Sequence, residues 1–518
     1  MRILSVTLLA VLLSLLLIRC GQSKHGSVSP PLADFIATPT SGTAPLTVQF
    51  TDTSTGNITS WAWDFDNDGM IDSTQQNPTH IYAIATVYTV SLTVTGPGGS
   101  EQEVKANYIT VWFVKTWGGG VNDELDAVAV DSAANIYCAG CTQSFGAGSY
   151  DALLLKYESS GALGWAKTWG GSNDDFFHAV AVDSSGNMYC AGRTSSFGGG
   201  SDDALLLKYN SSGTLQWAKT WGGSGWDHLF AVAVDSSGNI YCAGTTSSFG
   251  AGDWDALLLK YDSSGTLQSA TTWGGSSSDS LDAVVVDSCG NIYCAGSTAS
   301  FGAGSYAFDA LLLKYDSSGT VQRAATWGGS SHDYLYALAV DSGGSIYCAG
   351  LTWSLGLYEY DALVLKYDGS GTLQWTTTWG GSGQDYLGGV AADSSGNIYC
   401  AGYTGSFGSG DALLLKYDSS GALQWSKTCG GADNDWVSAV AVDSTGNVYL
   451  GGATYTYTGI WQEVTTGSQT SPSATSTTPS GTAGSPSGAE DSPVGTQTTP
   501  TGSETGAGGL DTLLLRNW

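Results

Sequence analysis

The chain has 518 residues, with 46 acidic against 17 basic side chains, a formal charge of −29 and 73 glycines. That balance excludes recognition of a phosphate backbone, which depends on Lys and Arg, and it repels anionic membrane surfaces. Abundant Gly, Trp and Tyr suit a turn-rich β protein rather than a helical one, and the length allows several domains or one large repeat array.

Arg2 is followed by an apolar run from Ile3 to Ile18, short for a spanning helix. It reads as an export signal over 1–20. Cys20 ends the run in "LLIRC", which resembles the lipobox of bacterial and archaeal lipoproteins, although Arg19 stands where that motif wants a small residue. The resemblance implies lipidation of Cys20. An extracellular or cell-surface protein is expected, touching a membrane only through such an anchor. Residues 21–31 read as a linker.

Alternating stretches such as Leu46 to Phe50 and Tyr88 to Leu92 predict short strands with one buried face over 32–111. Turn signals separate them at β-sandwich spacing. Through "SWAWDFDNDG", "NPTHIY" and "YTVSLTV", the segment resembles a PKD domain, an immunoglobulin-like module of extracellular proteins. The resemblance implies a spacer or adhesion module and no catalysis. In "DFDNDGMID", Asp64, Asp66, Asp68 and Asp72 reproduce the first half of a calcium loop, with acids at alternate positions and Gly69 at the turn. Gln75 stands where a bidentate Glu belongs. Two readings stay open, solvated turn acids and a calcium site; calcium is the one cofactor the sequence suggests.

From 112 to 518 the chain is periodic. Trp-Gly-Gly recurs at Trp117, Trp169, Trp221, Trp273, Trp327 and Trp379, and Cys429-Gly430-Gly431 starts a seventh copy. A period near fifty signals a propeller or solenoid. One copy predicts strands at Phe230 to Val234, Ile240 to Gly244, Ala256 to Tyr261 and Leu267 to Thr272, joined by short "DSSGN" and "DSSGT" hairpins. Four antiparallel strands make a propeller blade. The unit resembles the SBBP family of β-propeller repeats in "AVAVDSSGNIYCAG" and "DALLLKYNSSGTLQW".

The seventh copy breaks at a Ser/Thr/Pro-rich stretch, 465–508, predicted to be a disordered insert. "LDTLLLRNW" then matches the third strand of the other copies, and the chain supplies no fourth. "VWFVKTW", Val111 to Trp117, matches "LQWAKTW" and should supply it beside Leu513 to Leu515. The expected fold is all-β: an immunoglobulin-like sandwich, then a seven-bladed propeller closed by an N-terminal strand, with "AVAV" innermost. Cys138, Cys190, Cys242, Cys294, Cys348 and Cys400 share one repeat position that holds Leu450 in the seventh copy, as a buried apolar slot would.

Each copy carries an Asp six residues after its start: Asp123, Asp175, Asp227, Asp279, Asp333, Asp385 and Asp435. These are expected to cap the turn entering the inner strand; an acidic ring at the channel mouth is the alternative. The positions flanking this Asp vary freely and are rich in aromatic residues and His. They include Phe176, His178, Trp226, His228, Phe230, His332, Tyr334, Tyr336, Tyr386 and Trp436. These candidates should line one face of the ring near the channel mouth and bind an extracellular carbohydrate or protein ligand.

His178, His228 and His332 stand at different offsets in their copies, so a shared metal is not expected, and no catalytic motif appears. A binding or adhesion protein is therefore expected, not an enzyme. A structural envelope spacer is the runner-up. A propeller hydrolase or quinoprotein comes third, because "KYNSSGTLQWAKTWGG" resembles the Trp-docking repeat of quinoprotein dehydrogenases. Those propellers usually have eight blades and adjacent cysteines, and the repeat Trp is Ser269 and Arg323 in two copies here.

Overall fold

The computed structural model describes residues 29–302, 307–355, 359–455 and 510–516. Between 455 and 510 it describes 462–463, 468–470, 475–477, 482–484, 489–491, 493, 496–498 and 500. The export signal and Cys20 lie outside the described residues. The chain divides into two compact units, the first holding Thr47–His80 and Tyr88–Tyr108, the second Ile109–Trp518 with Thr40–Leu46 and Ile81–Val87.

The first unit packs Phe35 (from strand Phe35–Thr38), Phe50 (Leu46–Asp52) and Trp63 (Ser60–Asp64) into one buried aromatic cluster. The Phe35 and Trp63 rings meet edge to face at 5.2 Å, and Phe50 stacks on Phe65 at 4.8 Å. The alternating burial of Leu46–Asp52 follows from one face turned to this core.

The second unit is a ring of seven four-stranded antiparallel blades. Blade three runs Asp227–Val234, Ile240–Thr246, Asp255–Tyr261 and Leu267–Gly274. Each expected strand is present, lengthened by one to three residues at one end. The third strand, "DALLLKY", is a continuous apolar run because both blade faces are buried. Leu257 and Leu259 pack against blade two, Leu258 against blade four.

Seven interblade clusters of this kind complete the ring. The last joins Trp117, Tyr449 and Leu514 of blade seven to Leu125, Val128 and Leu153 of blade one. The repeat cysteines sit inside these clusters, and burial pushes the Cys242 thiol far above its usual range.

Blade seven closes as expected. Asp511–Arg516 lies between Val448–Thr454 and the end of Gly99–Trp117, with Leu513 opposite Thr116 and Leu515 opposite Val114. Leu513, Leu514 and Leu515 are buried.

Most of the stretch 465–508, expected as a disordered insert, lies outside the described residues. Short strands among its described residues, and one just before it, each pair antiparallel with the outer strand of a blade. Gln462–Glu463 adds to blade six, Ser468–Thr470 to blade five and Thr475–Thr477 to blade four. Thr482–Gly484, Ala489–Asp491 and Thr496–Thr498 follow on blades three, two and one. These described strands thus make a belt, a circuit of blades six to one in reverse order.

The sequence keeps step with this circuit, since Pro472, Pro479, Pro486, Pro493 and Pro500 recur every seven residues. Outer blade edges offer unpaired backbone groups, so a polar segment can pair there with no apolar pattern of its own.

Candidate functional site

The channel face is built by the first strand of every blade. Its fixed Asp is buried and capped within the blade rather than ringing the mouth. Asp227 Oδ2 accepts from the Gly223 N–H at 2.9 Å and the Ser248 hydroxyl at 2.7 Å, while Oδ1 accepts from the Thr246 hydroxyl. The Asp227 N–H donates to the carbonyl of Asp202, the loop residue before the third strand of the preceding blade, at 2.9 Å. The same bond recurs at Trp254–Asp279, Phe308–Asp333 and Tyr360–Asp385. Those loop residues are thereby held on the same face as the positions flanking the Asp.

Three residues beyond the Asp, each first strand carries a β-bulge. Leu229 pairs with Gly244 and Ala231 with Ala243, which leaves Phe230 without a partner. The same shift isolates Asp126, His178, Asp282, Tyr336, Gly388 and Ser438. Bulges of this kind re-aim a side chain.

The predicted residues do not form one site. Blades three and five carry bulky groups at all three free positions, Trp226, His228 and Phe230 in one and His332, Tyr334 and Tyr336 in the other. Blade four carries Ser278, Ser280 and Asp282 instead. The missing bulk leaves a cleft of ≈530 Å³ over blade four.

One wall of the cleft is His228, Phe230 and Trp254, with His228 and Trp254 centroids 5.6 Å apart. The other is Phe308, Tyr334 and Tyr336, at 5.3 Å for Phe308–Tyr334 and 6.0 Å for the stacked tyrosines. The Ser280 hydroxyl donates to Asp282 Oδ2 at 2.8 Å. Burial raises the Asp282 carboxyl to about 6, against the lowering effect of that bond.

His228 Nε2 lies 3.1 Å from Asp202 Oδ2, which also holds Arg193 at 2.6 Å. Burial first, and then the Arg193 charge, push its pKa down, so it is neutral near pH 7.

The other candidates lie elsewhere on the face. His178 Nδ1 is 3.0 Å from Asp126 Oδ2, its ring 5.9 Å from Phe176, and the Arg193 guanidinium covers Phe176 at 4.2 Å. Half-exposed Trp226 stacks on Trp254 at 6.1 Å. His332 stacks on Tyr334 at 6.0 Å. Tyr386 stacks on Tyr403 at 5.4 Å, and Trp436 meets Tyr455 at 6.4 Å on blade seven. Sequence reasoning missed Trp254, Phe308, Ser280 and Asp282. A second variable position, the residue before each third-strand Asp, was the available signal for the first two.

In the first unit, Asp64, Asp66 and Asp72 bring carboxylate oxygens within 4.8 Å of one another; Asp68 is not among them. Asp68 Oδ1 instead accepts from the Met70 N–H at 2.7 Å. Asp64 Oδ2 accepts from Gly69 and Asp72 Oδ2 from Phe65, at 2.9 and 2.7 Å. Asp64 Oδ1 is buried and accepts no hydrogen bond. Desolvation, then the charges of Asp68, Asp72 and Asp64, raise the Asp66 carboxyl. An orphaned buried oxygen among repelling carboxylates fits a hard divalent cation.

Residues 28–111 match the PKD domain family, and residues 230–250 and 374–408 match the beta-propeller repeat family. The chain carries a PKD domain followed by beta-propeller repeats. The regulatory protein FlaEY of Caulobacter vibrioides is 27% identical over 165 residues, covering 27% of this chain and 17% of that protein. The chain therefore spans less than a fifth of that relative's length. Among solved structures, Sqt1 from Chaetomium thermophilum is 11% identical with a TM-score of 0.40, over 65% of this chain and 81% of that one. A fungal alcohol oxidase of the AA5 family, in complex with copper, is 15% identical with a TM-score of 0.39, over 66% and 73% of the two chains.

Proposed function

We propose that this is an exported, non-catalytic binding protein of the cell surface, whose propeller face takes a carbohydrate or protein ligand in the cleft over blade four. The observation that carries the reading is the pair of aromatic walls around a floor of small residues, a shape that captures a flat or compact group. The polar groups there suit holding more than chemistry. Thr245 donates to the backbone oxygens of Asp255 and Asp279, both at 3.2 Å, and Asp279 is committed to capping its own turn. Glycan and peptide arrays probed with the full chain and with Phe230→Ala test the reading. Signals lost in Phe230→Ala but kept in Trp436→Ala, on distant blade seven, support it. Signals equal in all three proteins refute it.

A second site rests on the orphaned Asp64 oxygen. We propose that Asp64, Asp66 and Asp72 bind calcium and stiffen the PKD domain. Calcium at about a hundredfold excess over its Kd should stabilise that domain by about 2.7 kcal/mol. Calorimetric melts with calcium or a chelator, repeated in Asp64→Ala, check it; identical melts in both conditions refute it.

A further inference from the structure

The cleft carries a charge pattern as well as a shape. Among the described residues its lining contains no Lys or Arg, and its acids are Asp279, spent on its turn, and Asp282 at the bulge of blade four. Arg193, whose charge acts on His228, is held by Asp202 and lies over Phe176. An anionic ligand would meet repulsion from Asp282 and no compensating cation. Of the hydroxyls lining the cleft, Ser280 is donated to Asp282 and Thr245 to the backbone.

Six ring-bearing side chains face the cleft, and ring faces attract a positive charge most strongly when it is poorly hydrated. A methylated ammonium fits those conditions. Its charge is spread over methyl groups that pack on rings, it demands no acceptors, and one carboxylate neutralises it.

We propose, building on the reading of this cleft as the ligand site, that it selects a methylated ammonium group, held between the His228–Phe230–Trp254 and Phe308–Tyr334–Tyr336 walls and neutralised by Asp282. Selection follows from the gap in blade four: an aromatic residue at Ser280 would fill the space, and a neutral residue at Asp282 would remove the counter-charge. The face lies on a protein with 46 acids and 17 bases, so the wider field also draws cations towards the ring.

The test is calorimetric titration of the full chain with choline and with 3,3-dimethylbutan-1-ol, which has the same shape without the charge. Choline should bind at least about tenfold more tightly than the neutral alcohol, the size expected of a desolvated cation–π site with a counter-ion. Asp282→Asn should erase that preference while its thermal melt stays that of the wild type. Tyr336→Leu should weaken choline and leave far-ultraviolet circular dichroism unchanged. Equal affinity for the two compounds, or binding of neither, overturns the proposal. If choline fails while Phe230→Ala still abolishes an array signal, the cleft remains the site and its cation selectivity falls. If the array signal also survives Phe230→Ala, both readings fall.

Discussion

Gly244 lies directly against the carbonyl of His228: a Cβ on Gly244 would come within 1.9 Å of that oxygen. The contact is repeated in every blade, at 1.9 to 2.1 Å for the equivalent pairs from Gly140–Glu124 to Gly452–Trp436. It arises because the bulge brings the first strand's backbone onto the second strand. The invariant Gly of "CAG" is thus the sequence trace of the bulge that aims Phe230 and Asp282.

Replacing Gly244 by Ala should therefore cost about 1–3 kcal/mol, as overpacking against a rigid carbonyl does, and should displace Phe230. Gly120, where a Cβ meets nothing within 4 Å, is the control. Gly120→Ala should change stability by less than about 0.5 kcal/mol. Chemical denaturation of the two variants checks the contrast.

The belt and the closing strand should fail differently. Thr454 and Asp511 are partners in register, so a tight turn can replace residues 456–509 without straining blade seven. That variant should keep a folded ring but associate as concentration rises, because six outer edges lose their partners. Removing the closing strand as well takes Leu513, Leu514 and Leu515 out of the buried interface and should abolish cooperative unfolding. Light scattering and thermal melts on both variants separate the outcomes.

Acid should stabilise the ring before it destabilises it. Burial raises Asp175, Asp279, Asp333, Asp385 and Asp435, and it carries Asp361, beside Asp385, to about 6. A carboxyl raised in the folded state contributes stability that is fully present below its unfolded value near 3.8 and is lost as pH rises through the folded value.

Asp235 behaves oppositely. Burial disfavours its charge, but bonds from Asn239, Ser237 and Tyr241 outweigh burial and hold the group below its usual range. Asp183, Asp287, Asp341 and Asp443 are lowered likewise, and their contribution is lost as pH falls below about 4. The melting temperature should rise from about pH 8 to a maximum between about 4 and 6, then fall. A monotonic decline from neutral pH contradicts this. Asp282 titrates in the same window, facing Tyr334 and Tyr336 on one side and neutral His228 on the other. Cation binding should weaken as it protonates.

The repeat made the blades and their closure legible, because each apolar run recurs at a fixed offset and the seventh copy visibly lacks one strand. The belt was illegible for a physical reason. Residues such as Ser468–Thr470 join an edge through backbone bonds, which leave no hydrophobic pattern, and only the seven-residue proline step betrays the circuit. The cleft was half legible. Phe230 and Tyr336 stood out as bulky free positions, but the site lies where bulk is absent, at Ser278, Ser280 and Asp282. A search for conspicuous residues passes over such a gap.

The central claim is that this gap holds the ligand, and Ser280→Tyr tests it most directly. The substitution gives blade four the aromatic residue its neighbours carry at the same offset, so the ring should fold and melt as before while the cleft fills. Loss of choline binding and of array signals in a folded Ser280→Tyr protein is the expected result. Undiminished binding by that protein would contradict the account.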